Sequence, residues 1–127
     1  MGQGFRTVNG LISAKASARP PGMPKGRARG AKAAGLRYER ELAKALPQAK
    51  HGQWWQFVDK NGPGYCQTDL LLKTELGLFI LEVKYTWTPV GHEQLRKLYK
   101  PVVEKALGQP VHLVQVCKRL TTEVPRD

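Results

Sequence analysis

Thr68–Tyr85 reads TDLLLKTELGLFILEVKY: two apolar runs, Leu70–Leu72 and Leu78–Val83, on either side of a short polar step. Runs this dense suit strands covered on both faces, and Glu75 with Gly77 marks the turn between them. Three charges sit where such strands should carry none: Asp69, Glu82 and Lys84. An ionised group in an apolar sheet is costly unless it is paired or holds a cation. Alternation along a strand sends Glu82 and Lys84 to one face and Val83 to the other. With Asp69 opening the first strand, two carboxylates thirteen residues apart converge at one sheet edge. That edge is a seat for a hard divalent cation, which takes oxygen ligands.

Upstream, Trp54–Val58 (WWQFV) is aromatic and β-branched, as strands are. Asp59–Gly64 (DKNGPG) is polar turn chemistry, read as a loop longer than a tight hairpin. Before these, Leu36, Tyr38, Leu42, Ala43 and Leu46 fall at helical spacing from Gly35 until Pro47 stops the run. Downstream, Gly91–Gly108 reads as a second helix, in which Pro101 is expected to force a kink or split near Tyr99. Val111–Cys117 alternates as a last strand, and a frayed tail is expected from Thr121. The order α, β, β, β, α, β describes an α/β domain around a central mixed sheet, spanning residues 35–120, with a tail at 121–127.

The 127 residues carry a formal net charge of +11, and residues 1–38 hold eight of the basic side chains and no acid. Residues 1–34, rich in Gly, Ala, Pro, Lys and Arg, are expected to be a disordered basic arm, the competing reading being a short anchoring segment at Phe5, Val8, Leu11 and Ile12. Its partner should be a polyanion, and nucleic acid fits better than a membrane because no basic amphipathic helix is evident. Arg27, Arg29, Lys32 and Arg37 are candidate phosphate contacts there; Lys60, Gln94 and Lys97 are candidates in the folded part. Cys66 and Cys117 are too few for a disulfide framework or a zinc cluster, and no apolar run reaches the ~20 residues of a membrane span. These features point to reduced thiols and a cytoplasmic or nucleoid-associated location, neither secreted nor in a membrane.

Glu39 in the first helix, Asp69 heading the second strand and Glu82-Val83-Lys84 on the third resemble the active-site pattern of the PD-(D/E)XK nuclease superfamily. Within it, GLRYERELAKAL (Gly35–Leu46), EVKYTWT (Glu82–Thr88) and HEQLRKL (His92–Leu98) resemble the archaeal-type Holliday-junction resolvases, a likeness covering residues 35–118. The resemblance implies a restriction-endonuclease-like αβββαβ core and a homodimeric, Mg²⁺-dependent endodeoxyribonuclease, with Mn²⁺ substituting, that resolves four-way DNA junctions. It implies Asp69, Glu82 and the Val83 carbonyl as metal ligands, Glu39 joining through a water or a second ion, and Lys84 at the attacking water or the phosphate. Two departures stand out: Thr68 occupies the place of the proline, and the loop at 59–64 offers Lys60 in place of an arginine and no serine. The basic arm lies outside the likeness, so its removal is expected to weaken binding to every DNA and to spare cleavage.

Competing readings remain open at this level. A repair or restriction-type nuclease would share the fold, and a non-catalytic basic nucleic-acid-binding protein would make the acids incidental: a solvated pair at Glu82 and Lys84, a turn residue at Asp69, a helix surface residue at Glu39. His51, His92 and His112 show no ligand spacing, which favours surface or structural roles, and Trp54, Trp55 and Phe57 read as core or dimer contacts.

Overall fold

The computed structural model describes residues 5–22, 31–118 and 120–126, with 31–35 as backbone only. Its elements are β1 (Ser13–Ser17), α1 (Ala31–Ala45), β2 (Lys50–His51), β3 (Trp54–Asp59), β4 (Gly62–Gln67), β5 (Leu70–Thr74), β6 (Gly77–Val83), α2 (Pro89–Gln94), a π-helical turn (Leu95–Tyr99), α3 (Lys100–Leu107), β7 (Val111–Val116) and β8 (Thr121–Val124). Two ladders form one long bent hairpin. His51 faces Leu70 and Trp54 faces Gln67 in a single unbroken register. Bonds from Gly52 N to Asp69 O and from Thr68 N to Gln53 O, both 3.0 Å, carry the pairing through the bend. Gly52 sits there at φ +71, a conformation that glycine adopts without strain.

Beyond the bend the hairpin belongs to a three-stranded sheet, β1-β3-β4; before it, to a five-stranded mixed sheet, β2-β5-β6-β7-β8. β6 and β7 are parallel, joined by the helical crossover of α2, the π-turn and α3. One core cluster gathers Trp55 and Phe57 from the small sheet, Ile80 and Leu113 from the large one, and Leu95 and Val102 from the crossover. The other lies beneath α1, where Tyr38, Leu42 and Leu46 cover Leu70, Leu81 and Val83. β6 is therefore covered on both faces, which is why it reads as a nearly continuous apolar run.

Four sequence-based expectations need correction. Residues 59–64 are not an extended loop: Lys60 and Asn61 form a two-residue turn, and Gly62 (φ +105) already opens β4. The Asp59 carboxylate makes this tight turn possible by accepting from Asn61 N at 2.8 Å. Residues 5–18 are not a disordered arm. β1 pairs with β3, and Phe5, Val8 and Leu11 pack on the first core cluster. Small alanines and serines gave no periodic signal, yet small side chains are what a strand crossed by α3 can carry. The tail is not frayed either: β8 pairs with β7, Val124 is buried in the core, and Arg126 bonds Glu104 and Val111 O. Finally, α1 begins at Ala31, earlier than its apolar spacing suggests.

Pro101 explains both the π-turn and the docking of the N-terminal segment. In an α-helix the Lys97 carbonyl would accept from residue 101, and proline has no N–H to give. The helix widens before it, with Lys100 N reaching back to Leu95 O. The freed Lys97 carbonyl accepts instead from Val8 N at 3.1 Å. Among the described residues no helix is long and apolar enough to cross a membrane.

Arg6 bolts this segment to the hairpin tip. Its guanidinium donates to Asp59 Oδ1, Gly62 O and Pro63 O, while Asn9 N donates to Asp59 Oδ2 at 3.1 Å. Burial alone would push the Asp59 carboxyl up; the bonds from Asn9 N, Asn61 N and Arg6 outweigh it and hold it below the usual carboxylate range. A depressed carboxylate contributes stability that is complete above its unfolded pKa, about 3.9, and is lost as pH falls through the lower folded value. Asp59→Asn is thus expected to lower the melting temperature at neutral pH, by an amount that shrinks steadily below about pH 4. Arg6→Lys should recover little, since one ammonium cannot span three acceptors set for a planar fork. A melting-temperature deficit that stayed constant into acid would show that the charge of Asp59 contributes nothing.

Candidate active site

The β5–β6 ladder pairs Leu70 with Leu81, so the next position outward sets Asp69 beside Glu82. Asp69 is fixed there: its Oδ2 accepts from Val83 N at 2.8 Å, and its carbonyl accepts from Gly52 N. Glu82 is only 2% exposed, on the face turned toward the crossover helices. Thr68 is bonded into the wall behind Asp69. Its N–H joins Gln53 O at 3.0 Å, and its Oγ1 accepts from Trp55 Nε1 at 3.1 Å. A proline at this position would lose the first bond and the hydroxyl of the second.

Glu39 approaches from α1, with its Oε2 2.6 Å from His51 Nε2 on β2. The carboxylates act on one another. Burial pushes the Glu82 carboxyl well above its ordinary range; the charge of Asp69 and a hydrogen bond with it push the same way, Glu39 adds to this, and Lys84 opposes it. Glu39 is raised by burial and then by Asp69, against the pull of His51. From the crossover, burial raises the Tyr99 phenol well above 10, and the charges of Glu82, Asp69 and Glu39 raise it further. Its hydroxyl accepts from Gln94 Nε2 at 2.9 Å.

Lys84, half-buried, continues the strand past Val83 and makes no direct ion pair with a described carboxylate. Its charge acts on Glu82 and on the Cys117 thiol. Gln115, wholly buried and paired with Glu82 across the β6–β7 ladder, anchors the start of α2 by accepting from Thr88 N and donating to Thr88 O, both at 3.0 Å. Gly91 must lack a side chain here, because a Cβ would come within 2.9 Å of Gln115 Oε1. The crossover that carries Gln94 and Tyr99 is thereby locked to β7, directly beside the strand that carries Glu82.

The four residues expected to act together, Glu39, Asp69, Glu82 and Lys84, share one electrostatic neighbourhood, with Gln94 reaching it through Tyr99. Lys97 does not join them; it pairs with Glu93 at 3.0 Å. Lys60 lies at the hairpin tip, nine residues along the strand from Asp69, up to roughly 30 Å at strand rise. It cannot stand in for an arginine at these carboxylates. Arg37 is exposed on α1, Lys32 falls in its first turn, and Arg27 and Arg29 lie outside the described residues. His51, Tyr99 and Gln115 are additions that pattern reading missed. For His51 a signal existed: a two-residue turn at Lys60-Asn61 fixes a register that sets residue 51 against residue 70, beside Asp69.

Glu82 and Glu39, whose proton affinity is raised by burial and by the Asp69 carboxylate beside them, favour a hard cation in place of the proton. Among the described residues no group of three or more His, Cys, Asp or Glu side chains is placed to hold a metal ion. Mg²⁺ does not require such a group, since it is commonly held by one or two carboxylates, waters and substrate phosphate. Asp69 and Glu82 fit that requirement, with the Val83 carbonyl next along the strand and Glu39 one layer out. Comparison with protein-family models, with curated proteins and with solved structures found no match.

Proposed function

We propose that the chain is a Mg²⁺-dependent endodeoxyribonuclease that hydrolyses a phosphodiester bond in branched DNA, four-way junctions foremost. The observation that carries this reading is Asp69 set beside buried Glu82, with the charges of Glu39 and Lys84 both acting on Glu82. A restriction-endonuclease-like core is part of the proposal. It is supported by a helix, an antiparallel meander of the bent hairpin and β6, a helical crossover and a parallel strand, in that order. The junction preference and a two-fold dimer rest on the resemblance in residues 35–46, 82–88 and 92–98, and on a substrate that offers two equivalent strands to two equivalent sites.

The chemistry follows from the residues. Asp69 and Glu82, with the Val83 carbonyl, would hold Mg²⁺, or Mn²⁺ in its place. When bound, the ion supplies Lewis acidity toward the phosphate and lowers the pKa of water. Lys84 stabilises charge on the phosphate oxygens and orients the attacking water, whose oxygen bonds to phosphorus as the bond to the leaving deoxyribose oxygen breaks. The water's proton passes to a neighbouring base, and the leaving oxygen takes one from solvent. Glu39, held by His51, receives the water network on its free oxygen. Tyr99 and Gln94 close the helix side. Charge outside the site, most of it in residues 1–38, draws the polyanion in.

A cleavage assay on junction, duplex and single-stranded DNA, with and without Mg²⁺, tests the proposal. No cleavage of any substrate would leave the reading of a basic, non-catalytic DNA-binding protein, and cleavage without junction preference would leave a repair or restriction-type nuclease. Lys84→Ala is expected to lower the cleavage rate by about two decades or more, the scale of one positioned charge at the transition state, with a smaller change in affinity. Equal losses in rate and affinity would make Lys84 a binding residue only.

A further inference from the structure

Beyond Lys84 the chain leaves the sheet and, with the β7–β8 connection, forms a groove of about 380 Å³ lined by Tyr85, Thr86, Trp87, Cys117, Lys118 and Leu120. Tyr85 is 45% exposed and Trp87 41%, large rings left open directly after the strand that carries Glu82 and Lys84. They are not loose. Lys118 N donates to Tyr85 O at 3.3 Å, which ties the two walls together, and Cys117 N to Leu120 O at 2.9 Å, which closes the turn of the second wall. Trp87 packs edge-on against His92 at 6.2 Å, and the next residue, Thr88, is clamped by Gln115. Rings held this way lose little freedom when something stacks on them.

Cations flank the rings. Lys84 lies on the acid side, its charge acting on both Glu82 and Cys117. Lys118 lies on the other, 5.3 Å over the Tyr38 ring and 3.8 Å from Glu41. Burial raises the Cys117 thiol, so the groove floor is neutral rather than anionic. Leu120 is the one aliphatic side chain of the lining, which makes the groove a poor match for an aliphatic protein surface. Rings for π-faces, lysines for phosphates and a position beside the carboxylates instead match a polynucleotide strand.

We propose that this groove is a stacking site for an unpaired nucleobase, holding Trp87 and Tyr85 against a base splayed out beside the phosphate presented to Asp69 and Glu82. A duplex hides its base faces, whereas a branch point offers bases that can unstack. The groove thus gives a physical reason for preferring branched DNA. Its position relative to a scissile phosphate rests on the nuclease reading; base stacking as such does not.

The two can be tested apart, using the full chain in excess chelator so that no cleavage occurs. A single strand carrying 2-aminopurine and the same strand fully paired are titrated with wild type, Trp87→Ala, Trp87→Phe and Tyr85→Ala, and melting curves verify folding. Stacking on one aromatic ring is worth about 1–3 kcal/mol per base, so Trp87→Ala should weaken single-strand binding by roughly 5- to 150-fold and abolish the fluorescence quenching. Duplex affinity should hold, and Trp87→Phe should recover most of the loss. Unchanged single-strand affinity in both Trp87→Ala and Tyr85→Ala, or an equal loss on duplex, would overturn the proposal. A shift of the free protein to smaller mass in Trp87→Ala would also overturn it, showing that the face buries a second copy of the chain. Quenching by a wild type that cuts no DNA in Mg²⁺ would sink the nuclease reading and leave the stacking site standing.

Discussion

Deleting residues 1–18 is expected to abolish the folded state at ambient temperature, although the segment reads as a dispensable arm. Phe5, Val8 and Leu11 are half-buried against the core that holds Trp55, Phe57 and Leu98. At about half of the 1.5–3 kcal/mol for full burial of such side chains, the three together contribute roughly 2–5 kcal/mol. The pairing of β1 with β3 and the Arg6 bolt add to this. A domain of this size has about 5–15 kcal/mol in all, so the loss takes a large part of the margin. It also opens an edge: β3 would present unpaired backbone groups to solvent, and Asp59 would be left buried without its cation. Circular dichroism should show no cooperative melt above room temperature, or a midpoint far below that of the full chain. The natural control replaces Lys25, Arg27, Arg29 and Lys32 by Gln. That change should leave the melt in place and flatten the dependence of log affinity on log salt by roughly 0.9 for each phosphate contact removed. A truncated protein that melted within a few degrees of the full chain would show that residues 5–18 are ornament.

The difference between these two halves of the N-terminal region marks where sequence reading succeeds. Elements with strong periodicity were legible: the two apolar strands around Glu75-Gly77, the helix ending at Pro47, and the crossover helix disturbed near Tyr99. The pairing of Asp69 with Glu82 followed from the same pattern, because a two-residue turn fixes a register and a register fixes neighbours. Elements stabilised by partners far along the chain were not legible. β1 (SAKAS) holds its place through backbone bonds to β3 and the contact with α3, and its small side chains announce neither. β8 is anchored by a single buried valine, Val124, and by Arg126 on Glu104. The docking of Val8 on Lys97 O depends on a proline ninety-three residues later that frees a carbonyl, a long-range consequence no window of sequence displays. His51 fell in a stretch with no period, and its place beside Glu39 emerges only when the turn at Lys60-Asn61 is taken as tight.

Glu82→Gln is expected to abolish cleavage and, without metal, to stabilise the fold, two effects of opposite sign from one buried group. The proposed loss arises because an amide replaces an anionic oxygen donor at the ion. Activity should fall to background, with junction binding in Ca²⁺ retained. The gain in stability follows from the present electrostatics. Burial and Asp69 raise the folded-state pKa of Glu82, so the wild type is favoured while Glu82 keeps its proton and loses stability as pH rises through that elevated value. Glutamine mimics the protonated form at every pH. The variant and the wild type should therefore melt together below the unfolded carboxyl pKa, about 4.3, and separate as pH rises above it, the variant higher. Each 1 kcal/mol of relieved repulsion is worth roughly 4–8 °C in a domain of this size. Mg²⁺ should close the gap by raising the wild type alone, since a ligand that binds only the folded form stabilises it by mass action. Asp69→Asn makes a stricter partner experiment. Its amide oxygen can still accept from Val83 N, keeping the β6 end in place while the second ligand charge is lost. A Glu82→Gln protein that cuts at near wild-type rate would remove Glu82 from the chemistry. A melting difference that does not grow with pH would mean that Glu82 carries no strained charge in the folded chain.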